Sequence, residues 1–228
     1  MSTPEHAGTV IAVDGPSGSG KSSAARGVAR ALGLAYLDTG AMYRAATWWM
    51  IQHHVDLDDP AAIAAHAGEP GLEIGTDPGA PTVSVDGTDV SRPIRSREVT
   101  NSVSAVSSVP ETRAWLIARQ REIVRQACEH GAGIVVEGRD IGTVVTPQAP
   151  VKVYLTASPQ ARAVRRSGDR SAERTSVDVN EAEMARRDRL DAAQSAKADD
   201  AVLIDSTEMS LDEVIDEVLR LTKERVAA

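Results

Sequence analysis

Val10-Ile-Ala-Val-Asp-Gly15-Pro-Ser-Gly-Ser-Gly-Lys21-Ser22 is the stretch on which the fold turns. Residues 10–13 are a short apolar run, the composition of a buried strand. The run from Gly15 to Ser22 then fits G-x-x-x-x-G-K-[ST] in full, and a helical pattern continues over 20–32. Strand, glycine-rich turn and helix in this order make an anion cradle. The glycines let successive N–H groups point inward, and the helix N-terminus adds partial positive charge. Gly15, Pro16, Ser17, Gly18, Ser19, Gly20, Lys21, Ser22 and Ser23 are therefore the candidate ATP-binding segment. Lys21 is expected to reach the β- and γ-phosphates and Ser22 to ligate Mg²⁺. A glycine-rich turn that matched by chance would lack the flanking strand and helix.

Outward from this motif, apolar runs at 35–37, 134–136, 151–155 and 202–204 read as four more strands. None shows polar alternation, which suits strands buried on both faces of a parallel sheet. Helical patterns lie between them over 41–53, 111–129 and 159–167, and a last one opens at Ser210 and Glu213 with capping-box spacing and runs to about Val226. The expected class is α/β: a P-loop NTPase fold with a five-stranded parallel sheet flanked by helices. Between about 68 and 92 the rhythm breaks. Thr82-Val-Ser-Val85, Asp86-Gly87 and Thr88-Asp-Val90 predict a hairpin in a small antiparallel β insertion. The charged stretch 167–189 reads as a solvated arm, part of a helical lid. One kinase domain is expected, with a core over about 8–67, 109–160 and 198–228, an insertion over about 68–108 and a lid over about 161–190.

Composition narrows the functional classes. The 228 residues carry net charge −8 and no phenylalanine, so the core is Ala, Val, Leu and Ile. An acidic chain is a poor partner for nucleic acid or membrane surfaces, and any phosphate must be met by a local Arg/Lys cluster. Cys128 stands alone, which excludes an intramolecular disulfide framework, and its place on the apolar side of a helix predicts a buried thiol. No apolar run approaches the ~20 residues of a membrane span. The first nine residues are polar, without a signal-peptide core, so the expected location is cytoplasmic. The expected state is a monomer.

A P-loop identifies a nucleoside triphosphate and leaves the second substrate open. In a parallel sheet the carboxyl ends of the strands form the ligand crevice. The second strand ends in Asp38-Thr-Gly-Ala-Met-Tyr-Arg44 and the third in Glu137-Gly-Arg-Asp-Ile-Gly-Thr143. Thr39 can be read as a helix N-cap. Arg44 and Arg113 are cations in the first turns of helices, where they oppose the helix dipole and call for an anion nearby. Glu137 is the candidate carboxylate for orienting Mg²⁺ and its waters. Arg139 and Asp140 follow it, and the alternative for Arg139 is a plain ion pair with a carboxylate. Arg119, Arg121 and Arg125 read as a solvated face. From Arg162, Arg165 and Arg166 onward an arginine-rich segment suits phosphate oxygens, or else a solvated helix.

In chain order, GPSGSGKS, LDTGAMYR, SRPIRSREVTNSVSAVSSVPETR, VEGRDIGTVV and ARRDRLD resemble bacterial cytidylate kinases over nearly the whole chain. The resemblance implies ATP and CMP or dCMP as substrates, with Mg²⁺. It implies that Arg44, Arg139 and Arg187 hold the acceptor phosphate, that Thr39 and Asp191 contact the ribose, and that Ser104, Arg113 and Asp140 recognise cytosine. Arg162 and Arg165 would reach the ATP phosphates, with Lys21, Arg139 and Arg165 as the catalytic group. The pattern departs at Gln194, where the family has another arginine, and the loop that follows is shorter here. The alternatives are a P-loop kinase for another monophosphate or small metabolite, or a GTPase-like switch, which usually carries an N-K-x-D motif absent from this chain.

Overall fold

The central strand of the main sheet is the one that leads into the P-loop. In the computed structural model, which describes residues 8–167, 177–192 and 195–226 (177–181, 183 and 187 by backbone alone), β1 (Val10–Asp14) lies between β6 (Ile134–Gly138) and β7 (Val151–Thr156). β2 (Ala35–Asp38) pairs outside β6 and β8 (Val202–Asp205) outside β7, giving five strands in the order β2-β6-β1-β7-β8. All four pairings are parallel. The register places Asp14 beside Gly138, and Asp38 beside Glu137, so the crevice residues leave the sheet at one edge.

Alternate side chains of β1 serve two cores. Ile11 and Val13 pack with Val28, Val151, Val153 and Val218 beneath α1 (Lys21–Leu32) and α8 (Leu211–Val226). Ala12 faces the other way, with Leu37 and Val136, against Met42 and Met50 of α2 (Thr39–Gln52) and Leu116 of α5 (Pro110–Glu129). Strands with both faces covered need apolar residues at every position, which is the pattern they carry. The Ser210–Glu213 box is present at the head of α8: Glu213 Oε2 accepts from Ser210 N at 2.8 Å, and Glu213 N donates to Ser210 Oγ at 3.3 Å.

α3 (Pro60–Ala65) leads into the insertion, a separate antiparallel sheet of β3 (Leu72–Ile74), β4 (Val83–Val85) and β5 (Thr88–Asp89). Asp86 and Gly87 both take positive φ, 51° and 75°, as a two-residue hairpin turn requires. Asp86 also ties the hairpin down, accepting from Trp49 Nε1 and from Gly71 N, each at 2.8 Å. Arg26 and Arg30 of α1 donate to the carbonyl of Pro78 at 3.0 and 3.1 Å, so the insertion is fastened to the P-loop helix. A 3-10 turn (Pro93–Arg95) and α4 (Arg97–Ser108) return the chain to α5.

Two sequence readings need correction. The described part of the charged arm is not merely solvated: α6 (Pro159–Ser167) is followed by α7 (Val177–Asp191), whose Met184 is buried and whose Asp188 pairs with Arg162 at 2.6 Å. Cys128 is half-buried, its Sγ 3.6 Å from the Gly8 carbonyl, and burial raises its pKa. Among the described residues, no helix is long and apolar enough to cross a membrane.

Candidate active site

Gly15 turns the chain at φ 147°, and a Cβ there would lie 2.0 Å from the Leu155 carbonyl oxygen of the neighbouring strand. Only glycine fits. The loop then closes on Gly20, which begins α1 with no side-chain cap, leaving the first helical N–H groups to an anion. Lys21 folds back and donates from Nζ to the Pro16 carbonyl at 2.9 Å. Burial and the Arg139 guanidinium hold its pKa below the ordinary lysine value.

Across the crevice, Glu137, the next-to-last residue of β6, is almost fully buried. Ser22 Oγ donates to its Oε2 at 3.0 Å and Tyr36 OH to its Oε1. Burial and the nearby charge of Asp38 raise its pKa. A hydroxyl and a carboxylate meeting at the foot of the P-loop are hard oxygen donors of the kind a magnesium ion takes.

The acceptor side grows from β2 and the turn after β6. Asp38, not Thr39, is the N-cap of α2: its Oδ1 accepts from Ala41 N at 2.8 Å. Its Oδ2 pairs with Arg44 at 3.0 Å, supplying the anion that a cation at this helix start requires. Among the described residues, Arg44 Nε is buried without a hydrogen-bond partner. Thr39 instead donates to the Glu137 carbonyl at 2.7 Å. Arg139 donates to the Gly15 carbonyl at 2.8 Å and lies 3.4 Å from Asp191, the carboxylate pair foreseen as its alternative. Asp191 also accepts from Ser104 Oγ at 3.1 Å, and Arg113 donates to Asp140.

A single cavity of about 800 Å³ joins these groups. Ser17, Gly18, Gly20, Lys21, Ser22 and Ser23 are among its lining residues, as are Thr39, Arg44, Arg113, Glu137, Arg139, Asp140, Arg165 and Asp191. The acidic chain thus collects basic side chains in one place: Lys21, Arg44, Arg113, Arg139 and Arg165 line the cavity, and so do Arg26, Arg95 and Arg166. Gly15, Pro16, Ser19, Ser104 and Arg162 do not line the cavity. Ser104 acts on it through Asp191, and Arg162 is turned to the Ser17 carbonyl at 3.1 Å and to Asp188. Arg165 donates to Ser206 Oγ at 2.9 Å and to the Ser19 carbonyl at 3.3 Å. The side chain of Arg187, and Gln194, lie outside the described residues.

The structure adds groups that the sequence reading passed over. Tyr43 lines the cavity with its hydroxyl pushed up to about 12 by burial. Asp14, the last residue of β1, accepts from Ile141 N and Gly142 N, and Arg121, read as solvated, donates to the Val144 carbonyl at 2.7 Å. A charge ending an otherwise apolar strand was a signal for Asp14; Tyr36 carried none, since a tyrosine in a short strand reads as core.

The cytidylate kinase family model matches residues 11–224. A cytidylate kinase of Streptomyces avermitilis is 53% identical over 96% of this chain and 94% of its own length. One of Nocardia farcinica is 50% identical over 96% and 95%. An uncharacterized protein from Eubacterium ventriosum superposes with a TM-score of 0.50 at 12% identity, over 95% of this chain and 99% of that one, a likeness of fold alone.

Proposed function

The chain belongs to the cytidylate kinase family, and from that premise we propose that it transfers the γ-phosphoryl group of ATP to CMP or dCMP, giving CDP or dCDP. The observation that carries this reading is the division of one cavity into two halves. The P-loop stands on one side, and Arg44, Arg139 and the Arg113–Asp140 pair stand on the other.

ATP lies with its phosphates along 15–23, its β- and γ-oxygens met by backbone N–H groups and by Lys21. Polyanionic phosphate beside Lys21 restores the ammonium that burial disfavours. Ser22 and, through water, Glu137 would hold Mg²⁺, and the ion would supply charge neutralisation for the transferring phosphoryl group. The acceptor phosphate sits between Arg44 and Arg139, with Arg187 as the third donor. Arg139 exchanges its 3.4 Å approach to Asp191 for that phosphate, keeping its bond to the Gly15 carbonyl. Thr39 and the released Asp191 meet the ribose.

Asp140 reads the base. Arg113 engages one carboxylate oxygen, and the carboxylate retains acceptor capacity for the cytosine N4 amine. Uracil presents an acceptor at that position and is disfavoured. Ser104 and Arg113 complete the base pocket. An acceptor phosphate oxygen attacks the γ-phosphorus while the bond to the β–γ bridging oxygen breaks. Lys21, Arg139 and Arg165 neutralise the charge that spreads over the transferring group. In this reading residues of about 68–108 cover the acceptor, and those of about 161–190, with Arg162 and Arg165, cover the donor and keep water out. The enzyme works as a cytoplasmic monomer; size-exclusion chromatography with light scattering tests the latter.

A coupled assay of ADP release with CMP, dCMP, UMP and AMP tests the reaction. Release that depends on CMP or dCMP, with UMP and AMP poor, is the expected result. Turnover of a small metabolite such as shikimate with none of CMP would sink the proposal.

A further inference from the structure

Asp14 is the last residue of the central strand, immediately before the first glycine of the P-loop, and only 4% exposed. Its two oxygens are both used by one turn: Oδ1 accepts from Ile141 N and Oδ2 from Gly142 N, each at 2.8 Å. Those amides are the first donors of the π-helical turn Ile141–Val145, which has no side-chain cap of its own. At the preceding residue, the Asp140 carbonyl accepts from Val144 N at 2.8 Å and Val145 N at 3.2 Å. Asp14 therefore caps, from another strand, the helical turn that presents Asp140.

A second link runs in parallel. Arg139 Nη1 donates to the carbonyl of Gly15, one residue beyond Asp14. Between them the two links fasten the root of the P-loop to the 139–142 turn, which carries Arg139 and Asp140. Because Asp14 caps the turn, the Asp140 carboxylate is spared that task and is directed at Arg113.

A buried carboxylate is an expensive way to end a strand. Burial pushes Asp14 up to about 6, even with two N–H donors and Lys21 opposing the rise, and the charge of Asp140 adds to it. An asparagine would end the strand at less cost but could not accept at both oxygens, because one end of its amide donates. The paired acceptor geometry is what the carboxylate alone provides.

We propose that Asp14 is a positioning residue for base selection: it clasps the 139–142 turn to the P-loop and so sets where the Asp140 carboxylate meets the cytosine amine. The inference rests on the functional reading above.

The test compares Asp14→Asn with the wild-type enzyme in kcat/KM for CMP and for UMP. Gly142→Ala is a second variant, which leaves the carboxylate in place but sets a methyl 3.4 Å from Asp14 Oδ2 and 3.2 Å from Lys152 Cδ. Displacing the turn lowers the CMP-over-UMP preference by about tenfold in either variant, the worth of one good base contact. Loss of folded protein alone lowers both rates together and leaves the ratio unchanged. A preserved ratio in both variants overturns the role of Asp14 and leaves the functional reading standing. If Asp14→Asn does not fold by circular dichroism, the ratio in Gly142→Ala decides. A wild-type enzyme with no CMP preference overturns the functional reading, and this role with it.

Discussion

The guanidinium of Arg113, in the first turn of α5, donates to the carboxylate of Asp140, in the turn that follows β6. The pair removes two local conflicts, a cation at a helix N-terminus and a charge in a nearly buried turn. It also leaves a carboxylate fixed in direction at the wall of the cavity. Asp140→Ala is accordingly expected to lower kcat/KM for CMP by about ten- to a hundredfold while UMP, which gains nothing from the carboxylate, changes far less. Parallel loss for both bases in steady-state kinetics would show that Asp140 does not read the base.

Lys21 is held by the Pro16 carbonyl at 2.9 Å with the Arg139 guanidinium as a nearby like charge. Removing its ammonium relieves that repulsion and removes a donor to the transferring phosphoryl group. Lys21→Met is expected to lower kcat by at least about 10²-fold, the usual cost of one preorganised donor, with a melting temperature no lower than that of the wild type. A variant that melts early and keeps kcat per folded molecule would show a structural lysine instead.

The buried Asp14 makes stability fall as pH rises. Its folded-state pKa is about 6 against an ordinary 3.8, raised first by burial. Below pH 3.8 the group is protonated in both states and carries no penalty. Between there and about pH 6 the unfolded chain ionises first, and roughly 3 kcal/mol of stability is lost across that window. Denaturant midpoints at pH 4 and pH 7 check this: the decline is expected to be smaller in Asp14→Asn than in the wild type by about that amount. Equal declines would contradict the assignment.

Ser210 tests an element away from the site. Its hydroxyl accepts from Glu213 N at 3.3 Å, while Glu213 Oε2 returns a bond to Ser210 N at 2.8 Å. Ser210→Ala is expected to cost about 1 kcal/mol in chemical denaturation, with kcat unchanged. No measurable loss would mean that α8 is held by its packing on α1 alone.

How much of this was legible follows from the range of the forces involved. The five strands were readable because burial on both faces demands apolar residues throughout, and the hairpin because Asp86-Gly87 tolerates positive φ. α4 was not, since Thr100, Asn101, Ser102, Ser104 and Ser107 depress helix propensity. Val99, Val103 and Val106, buried at helical spacing, hold it through tertiary contact. The sequence of α7 is rich in charge, and its described contacts, among them Asp188 with Arg162, Asp191 with Arg139 and Met184 under the P-loop, join residues far apart in the chain. In the site, arginines and carboxylates at strand ends were visible as anomalies. Thr39 was misread as a cap because Asp38, one residue earlier, offered the same chemistry with better geometry. The clasp from Asp14 depends on the register of β1 against β6, which no local pattern encodes.

The central claim, a phosphoryl transfer whose acceptor is chosen by its base, is tested most directly by chromatographic identification of the diphosphate formed from ATP with an equimolar mixture of CMP and UMP. The account predicts CDP as the dominant product, with ADP formed in equal amount. UDP formed as fast as CDP, or ADP without either diphosphate, would contradict it.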